Sequence, residues 1–385
     1  MRSSTGACTR PGLRSFLGAR LTSLYSQRTP RYSAAIDVVT VDFTAGSDVP
    51  PERQLRVWLN FGEHGRELIT TDVAVRLLDV LAAGPEVAAQ FAGGGEDMVA
   101  ALRRSVLKVV PLENAGGRAK VEAGELCLRK NGRGVDPNRN WDIHWGVKEP
   151  DYDPYEEAAG TSPFSEPEAV LLRDALTEWQ PHGWVNVHSG MRALFVPYDH
   201  VAAMPKGRVG DALRTMLAAM QRRFCADCVT GSGGGAVGYL AHGTATDYVF
   251  ANLSVPVAMT WEIYGDSAAR NDDCFRMFNP LGREQHDAVL EAWAAAAVAV
   301  PWAVAMHPDV PRDAAARMPW GRKGGAEATE GTARQGWMGR SAALLLVLLL
   351  LAWGGYNHPR ARTLFGKSRP NSPEAVATEE TKQMV

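Results

Sequence analysis

The stretch NFGEHGREL, residues 60–68, sets His64 and Glu67 three residues apart directly after an apolar run. An imidazole and a carboxylate at that spacing can hold one divalent cation between them; the spacing also suits a polar turn at a strand end. The chain carries 9 His and 43 acidic residues, so one such pair is expected by chance and needs company. A catalytic zinc takes three protein ligands and keeps a fourth position open. VNVHSG offers His188 at the end of an apolar run, although that residue alone also reads as a satisfied core histidine. A neutral His ligand usually passes its other N–H to a carboxylate, which fixes the tautomer. Asp136, in GVDPNRNW, is the candidate for that role.

The same stretch holds Asn138 and Arg139 side by side. A guanidinium fork matches a carboxylate and an amide adds a further donor; alone, the pair would be a polar turn. Glu262 closes the strongly apolar run before it in MTWEIYG. A carboxylate there is costly unless it has a task or a partner, and general base beside a metal-activated water is one such task. Tyr239, in VGYLAHGTATDY, follows GSGGG, which reads as a flexible loop. That glycine run lacks the Lys-Ser/Thr pair and the strand–loop–helix context of a phosphate loop.

These side chains fall at the ends of expected elements. AAIDVVTVDF, RQLRVWLNF and SVLKVVPLEN read as strands, HGWVNVHSG and VPVAMTWEIYG as buried strands. ELITTDVAVRLLDVLAA has helical spacing, and GREQHDAVLEAWAAAAVAVPWAV closes the domain as one long helix. SEPEAVLLRDALTEW reads as a helix opened by Ser165, with Glu168 completing a capping box. The alternation predicts an α/β fold, a central β-sheet with helices on both faces. Such sheets place ligands at the carboxyl ends of strands, where His64, His188 and Glu262 fall.

A net charge of −2 with no basic stripe gives no reason for a nucleic-acid partner. CADC, residues 225–228, lacks the second pair or the His partners of a zinc finger. With Cys127 and Cys274 it reads as buried thiols or, in a secreted domain, as disulfides. Residues 1–34 are basic and Ser-rich, interrupted by Arg14 and Arg20, and form no secretory apolar core; a targeting segment, a cytosolic lead-in and an incomplete start all fit them. Residues 35–307 have globular texture, and 308–336 read as a linker. From Ser341 to Tyr356 the chain has 16 uncharged, Leu-dominated residues, roughly 24 Å as a helix against an apolar core of about 30 Å. Trp337 and Arg340 extend it, so residues 337–356 are expected to form a C-terminal transmembrane helix ahead of a polar tail, 357–385.

HGRE, CLRKNGRGVDPNRNW, GTSPFSEPEA, VNVHSG, VPYD, GYLAHGTATDY and TWEIYG stand in this order across residues 35–305. As an ordered set they resemble the zinc metallocarboxypeptidases, the family of carboxypeptidases A, B, N and E. The resemblance implies a mixed central sheet, one zinc ion per chain held by His64, Glu67 and His188, and Asp136 orienting His64. It implies Glu262 as general base and then acid, and Arg129 on the scissile carbonyl and its oxyanion. Asn138, Arg139 and Tyr239 would clamp the substrate's free C-terminal carboxylate; Arg66 would line an outer subsite, and Thr246 and Thr260 the side-chain pocket. Asp199, eleven residues after His188, matches the acid with which the N/E branch holds a basic side chain, whereas the B-branch position holds Thr246. A loop carboxylate paired with His200 or solvent is the plainer reading of Asp199. The expected activity is removal of single residues, preferentially Lys or Arg, from peptide or protein C-termini. A-like preference for hydrophobic ends and a membrane-displayed peptide-binding pseudoenzyme are the alternatives. The family's usual extra helix and strand ahead of the first zinc motif are not clear in residues 1–34. Family habit and the sequon Asn252-Leu-Ser254 point to a lumenal or extracellular domain on a single-pass membrane protein.

Overall fold

The structure, a computed structural model, describes residues 19–25, 32–270 and 272–310. Among these, eight strands form one sheet: β1 (Ala19–Tyr25), β2 (Ala35–Asp42), β3 (Leu55–Phe61), β4 (Ser105–Val110), β5 (Gly183–His188), β6 (Met191–Val196), β7 (Val229–Ser232) and β8 (Val257–Tyr264). Their order is β1-β2-β4-β3-β5-β8-β6-β7. The central β4-β3-β5-β8 run is parallel, whereas β1–β2, β2–β4 and β6–β8 pair antiparallel, so the sheet is mixed. It begins earlier than residue 35. β1 lies inside the segment read from sequence as a basic lead-in, and pairs from Ala19↔Val41 to Tyr25↔Ala35. A short strand interrupted by Arg and Ser gives little apolar signal, which is why it was not legible.

Side chains alternate across a strand, and here the two faces bury different partners. Val57 and Leu59 of β3, Val185 and Val187 of β5, and Met259 and Trp261 of β8 share a core with the helices Leu68–Ala82, Gly207–Phe224, Arg283–Val298 and Val300–Ala305. Trp58, Trp184 and Ala258 face the other way, onto Leu172 and Leu176 of helix Pro167–Trp179 and Val249 of helix Ala245–Ala251. Helices thus cover both faces, as the alternation predicts.

The register makes the second face a gradient. Trp58, Trp184 and Ala258 lie side by side; two residues on come Asn60, Asn186 and Thr260; two further on, His188 pairs with Glu262. One face therefore runs from indole through amide to ionisable groups as three adjacent parallel strands approach their carboxyl ends.

Two local expectations are corrected. Helix Pro167–Trp179 has Glu166, not Ser165, at its N-cap position, with no side-chain cap. Pro at the first helical position has no N–H to be capped and presets φ, which moves the start past Ser165. Ser165 instead donates to Glu166 (2.8 Å), and Glu168 turns inward to accept from Tyr32 and Asn131. The closing helix is also two, Arg283–Val298 and Val300–Ala305, with Pro301 in the first turn of the second.

The four cysteines among the described residues form two disulfides, Cys127–Cys274 and Cys225–Cys228. Residues Cys274–Ala305 are apolar enough to cross a membrane, but that stretch is interrupted between its helices and 67% of its apolar window is buried against the sheet, which marks core helices. The span expected at 337–356 lies outside the described residues.

Candidate functional site

His64, Gly65, Arg66 and Glu67 form the turn from β3 into helix Leu68–Ala82. Gly65 donates its N–H to the Arg129 carbonyl at 2.9 Å. A Cβ at Gly65 would lie 2.9 Å from the Leu128 carbonyl oxygen and from the Gly117 backbone, so only glycine permits this approach. Glu67 sits at the N-cap position of the helix, where the helix dipole favours negative charge. From the end of β5, His188 turns toward the same point. His64 Nδ1 is 2.7 Å from Glu67 Oε1, His188 Nδ1 is 3.1 Å from Glu67 Oε2, and the two Nδ1 atoms are 3.1 Å apart. All three side chains are buried.

Two ring nitrogens facing each other across a carboxylate need a positive charge between them. His64 Nε2 contacts Asp136 Oδ1 at 3.2 Å, so the hydrogen-bond network assigns its proton there and leaves a lone pair on Nδ1. Two nitrogens at about 2.0–2.1 Å from a tetrahedral zinc stand roughly 3.3 Å apart, close to the observed separation. The donor set fits such a cation. Glu63 is a second carboxylate within reach, forming with His64 and His188 a buried group able to hold a metal. It lies on the far side of His188, 3.2 Å from Nε2, and accepts from Asn186 at 2.7 Å. Glu67 is the carboxylate that faces both Nδ1 atoms.

The electrostatics follow from burial and neighbours. Burial opposes charge on Glu67, but His64 and His188 outweigh it and hold the group well below the usual carboxylate range. Arg129 and His64 likewise overcome the burial of Asp136 and keep it low. At Glu262 burial outweighs the opposing pull of His188, His64 and Arg129 and pushes the carboxyl up to about 7; its Oε2 is a buried oxygen without a hydrogen-bond partner among the described residues.

A cavity open to solvent joins His64, Arg129, Asn138, Arg139, His188, Asp199, Tyr239, Thr260 and Glu262. Arg129 is pinned through Nε to Asp136 Oδ2 at 2.8 Å. Asn138 accepts the Ala245 N–H at 2.9 Å through its side-chain oxygen, which leaves its NH2 as the donor edge. Arg139 donates to the Asn138 carbonyl at 2.9 Å, and Glu157 Oε2 lies 3.1 Å from its Nη2. Tyr239 is 41% exposed at the mouth.

Three expected residues are placed differently from the rest. Arg66 lies beside the cavity, stacked on Phe278 (4.1 Å to the ring centroid) and paired through both terminal nitrogens with Glu156 (2.9 and 2.6 Å). Thr246 stands one layer back and reaches the cavity through a 2.7 Å hydrogen bond to Thr260. Asp199 does not pair with His200, which is bonded to Asp247 at 2.6 Å. It lines the cavity, and burial with Asp247 nearby pushes it up to about 7. GSGGG is not an open loop but the end of β7 and a helical turn; a Cβ at Gly233 would lie 1.9 Å from Asp199 Oδ1.

Sequence reasoning missed Glu63, Asn186, Phe195 and Glu157. Asn186 carried a signal, lying two residues before His188 on the same strand face, and Glu63 directly precedes His64. Glu157 carried none, because its contact with Arg139 depends on the path of an irregular loop.

The sequence matches the family model described as Zinc carboxypeptidase over residues 29–295. A zinc carboxypeptidase of Simulium vittatum is 31% identical over 138 residues, which cover 34% of this chain and 44% of that protein. Carboxypeptidase A2 of Mus musculus is 27% identical over 177 residues, 42% of this chain and 39% of that protein. The match therefore spans less than half the length of these curated relatives. Among solved structures, the carboxypeptidase A from Helicoverpa armigera has a TM-score of 0.59 at 21% identity, covering 75% of this chain and 70% of that one. At that identity the likeness is one of fold.

Proposed function

We infer the function from one premise: the chain belongs to the zinc carboxypeptidase family. In this reading it is a metallocarboxypeptidase that binds one zinc ion through His64, Glu67 and His188 and releases single residues from the C-termini of peptides or proteins. The observation that carries it is the meeting in one cavity of a convergent Nδ1–Nδ1–carboxylate centre, the half-buried Glu262 with its buried Oε2, and the donors of Asn138, Arg139 and Tyr239.

Zinc, when bound, acidifies water and polarises a carbonyl. Glu262 accepts the proton of the attacking water as its oxygen bonds to the scissile carbonyl carbon, then delivers it to the departing amine as the C–N bond breaks. Arg129, held edge-on by Asp136, donates to the carbonyl oxygen as negative charge develops there. Asn138, Arg139 and Tyr239 receive the free carboxylate, which confines cleavage to chain ends.

Asp199 sets the preference for basic ends, since it is a buried acid in the cavity that Thr260 and Phe195 also line. Its carboxyl is raised to about 7, so it ionises as pH rises through that value while Lys and Arg ends stay charged. The ratio of kcat/KM for Arg-ended over Leu-ended substrates is therefore expected to rise between pH 6 and 8, and Asp199→Ala to abolish the preference. A wild-type preference for Leu or Phe ends, or a ratio flat with pH, would count against Asp199.

We place the domain in an oxidising compartment, tethered by residues 337–356. Two disulfides support the compartment, because such bonds are rare in reducing cytosol. Peptide mapping of the native, alkylated protein should recover the Cys127–Cys274 link; free thiols at both positions would remove that support.

A further inference from the structure

We propose that Glu63 is a positioning residue for His188: it holds the ring with Nε2 protonated and Nδ1 turned to the shared centre. The proposal rests on His64, Glu67 and His188 being the zinc ligands, and concerns a residue outside that set.

Glu63 ends a buried polar chain that runs beneath the site. Asn60 donates through Nδ2 to Glu113 Oε2 at 2.6 Å and to Asn186 Oδ1 at 3.1 Å; Asn186 donates through Nδ2 to Glu63 Oε2 at 2.7 Å. Glu63, Asn60, Glu113 and Asn186 are all buried. The chain has one direction. With its oxygen taken by Asn60, the Asn186 amide presents N–H to Glu63, and the Glu63 oxygen that receives it is an acceptor. His188 Nε2 lies 3.2 Å from that same oxygen. The approach is close but not collinear, and Nε2 meets no better-directed acceptor among the described residues.

The backbone fixes each member. Asn60 and Asn186 are register partners on β3 and β5, and His188 follows Asn186 on the same face. The Glu63 carbonyl is held by Asn114 Nδ2 at 3.1 Å. A buried chain of two amides and two acids is expensive in a core. Its use here is the tautomer of His188: a proton on Nε2, on the Glu63 side, leaves the lone pair on Nδ1 facing His64 and Glu67. Asp136 does the same for His64. The turn 63–67 thus carries a ligand for the metal, the ring it shares it with, and the carboxylate that orients the third ligand.

The test uses the full chain and zinc itself, with affinity read by competition against a chromophoric chelator. Glu63→Gln is expected to weaken zinc by about 10–100-fold, with the metal-free protein's thermal midpoint unchanged; retention of parental affinity within about twofold would overturn the proposal. Glu67→Gln, measured alongside, separates this from the ligand assignment. Zinc lost on Glu67→Gln but kept on Glu63→Gln sinks only the positioning role. Zinc kept on Glu67→Gln and lost on Glu63→Gln makes Glu63 a ligand and overturns both. Should Glu63→Gln not fold, NMR of the zinc-loaded parent decides: a slowly exchanging, downfield proton on His188 Nε2, as for an N–H held by a carboxylate, supports the proposal, and a rapidly exchanging Nε2 proton or a proton on Nδ1 refutes it.

Discussion

Glu262→Gln is expected to lower kcat by about 10²–10⁴-fold, the worth of a positioned general base, while fold, zinc content and KM change little. The strand register puts this carboxylate beside His188, on the face whose residues become ionisable toward the strand ends. Its buried Oε2 has no hydrogen-bond partner among the described residues, and burial has raised the carboxyl to about 7. A base with that character is neither paired as a structural acid nor exposed as a surface one. Gln preserves shape and removes only the proton acceptor, so the loss should fall on turnover and not on substrate binding. Near-normal kcat in a zinc-loaded Glu262→Gln protein would assign the proton transfer elsewhere.

Arg139→Ala is expected to cost about 2–5 kcal/mol in kcat/KM for substrates with a free C-terminus, or at least roughly thirtyfold, as for a truncated buried charge pair. Substrates ending in an amide, which cannot use the fork, should lose far less. Glu157 complicates the reading, because it already pairs with the Arg139 guanidinium and competes with an incoming carboxylate. The variant Glu157→Ala controls for this: it should lower KM for free-acid substrates or leave it unchanged. Equal losses of free-acid and amide substrates on Arg139→Ala would show that the side chain supports the cavity without reading the chain end.

What could be read from the sequence divides by how local its cause is. The central strands were legible because β3, β5 and β8 are near-continuous apolar runs, and a polar residue closing such a run is conspicuous. His188 and Glu262 stood out for that reason. The turn at His64 and Glu67 was legible as a spacing, and its meeting with His188 followed from parallel strands ending together. Contacts set by irregular backbone were not. Glu156 and Glu157 reach Arg66 and Arg139 from a loop with no periodicity, and that loop leaves Arg66 beside the cavity. The capping box failed because Pro167, a local signal itself, outranked Ser165 as the helix start. The role of Glu63 gives no local signal, because it depends on the Asn186 amide, which the register of β3 with β5 brings to it.

The most direct measurement is hydrolysis of blocked dipeptides by the full chain, offered as free acids and as amides, with zinc removed by chelation and then restored. Release of the C-terminal residue from free acids, lost with the metal and regained at one zinc per chain, with amides cleaved far more slowly, is the predicted result. A protein that binds one zinc and a free-acid dipeptide but hydrolyses neither series, or that cleaves the amides as fast as the acids, would contradict it.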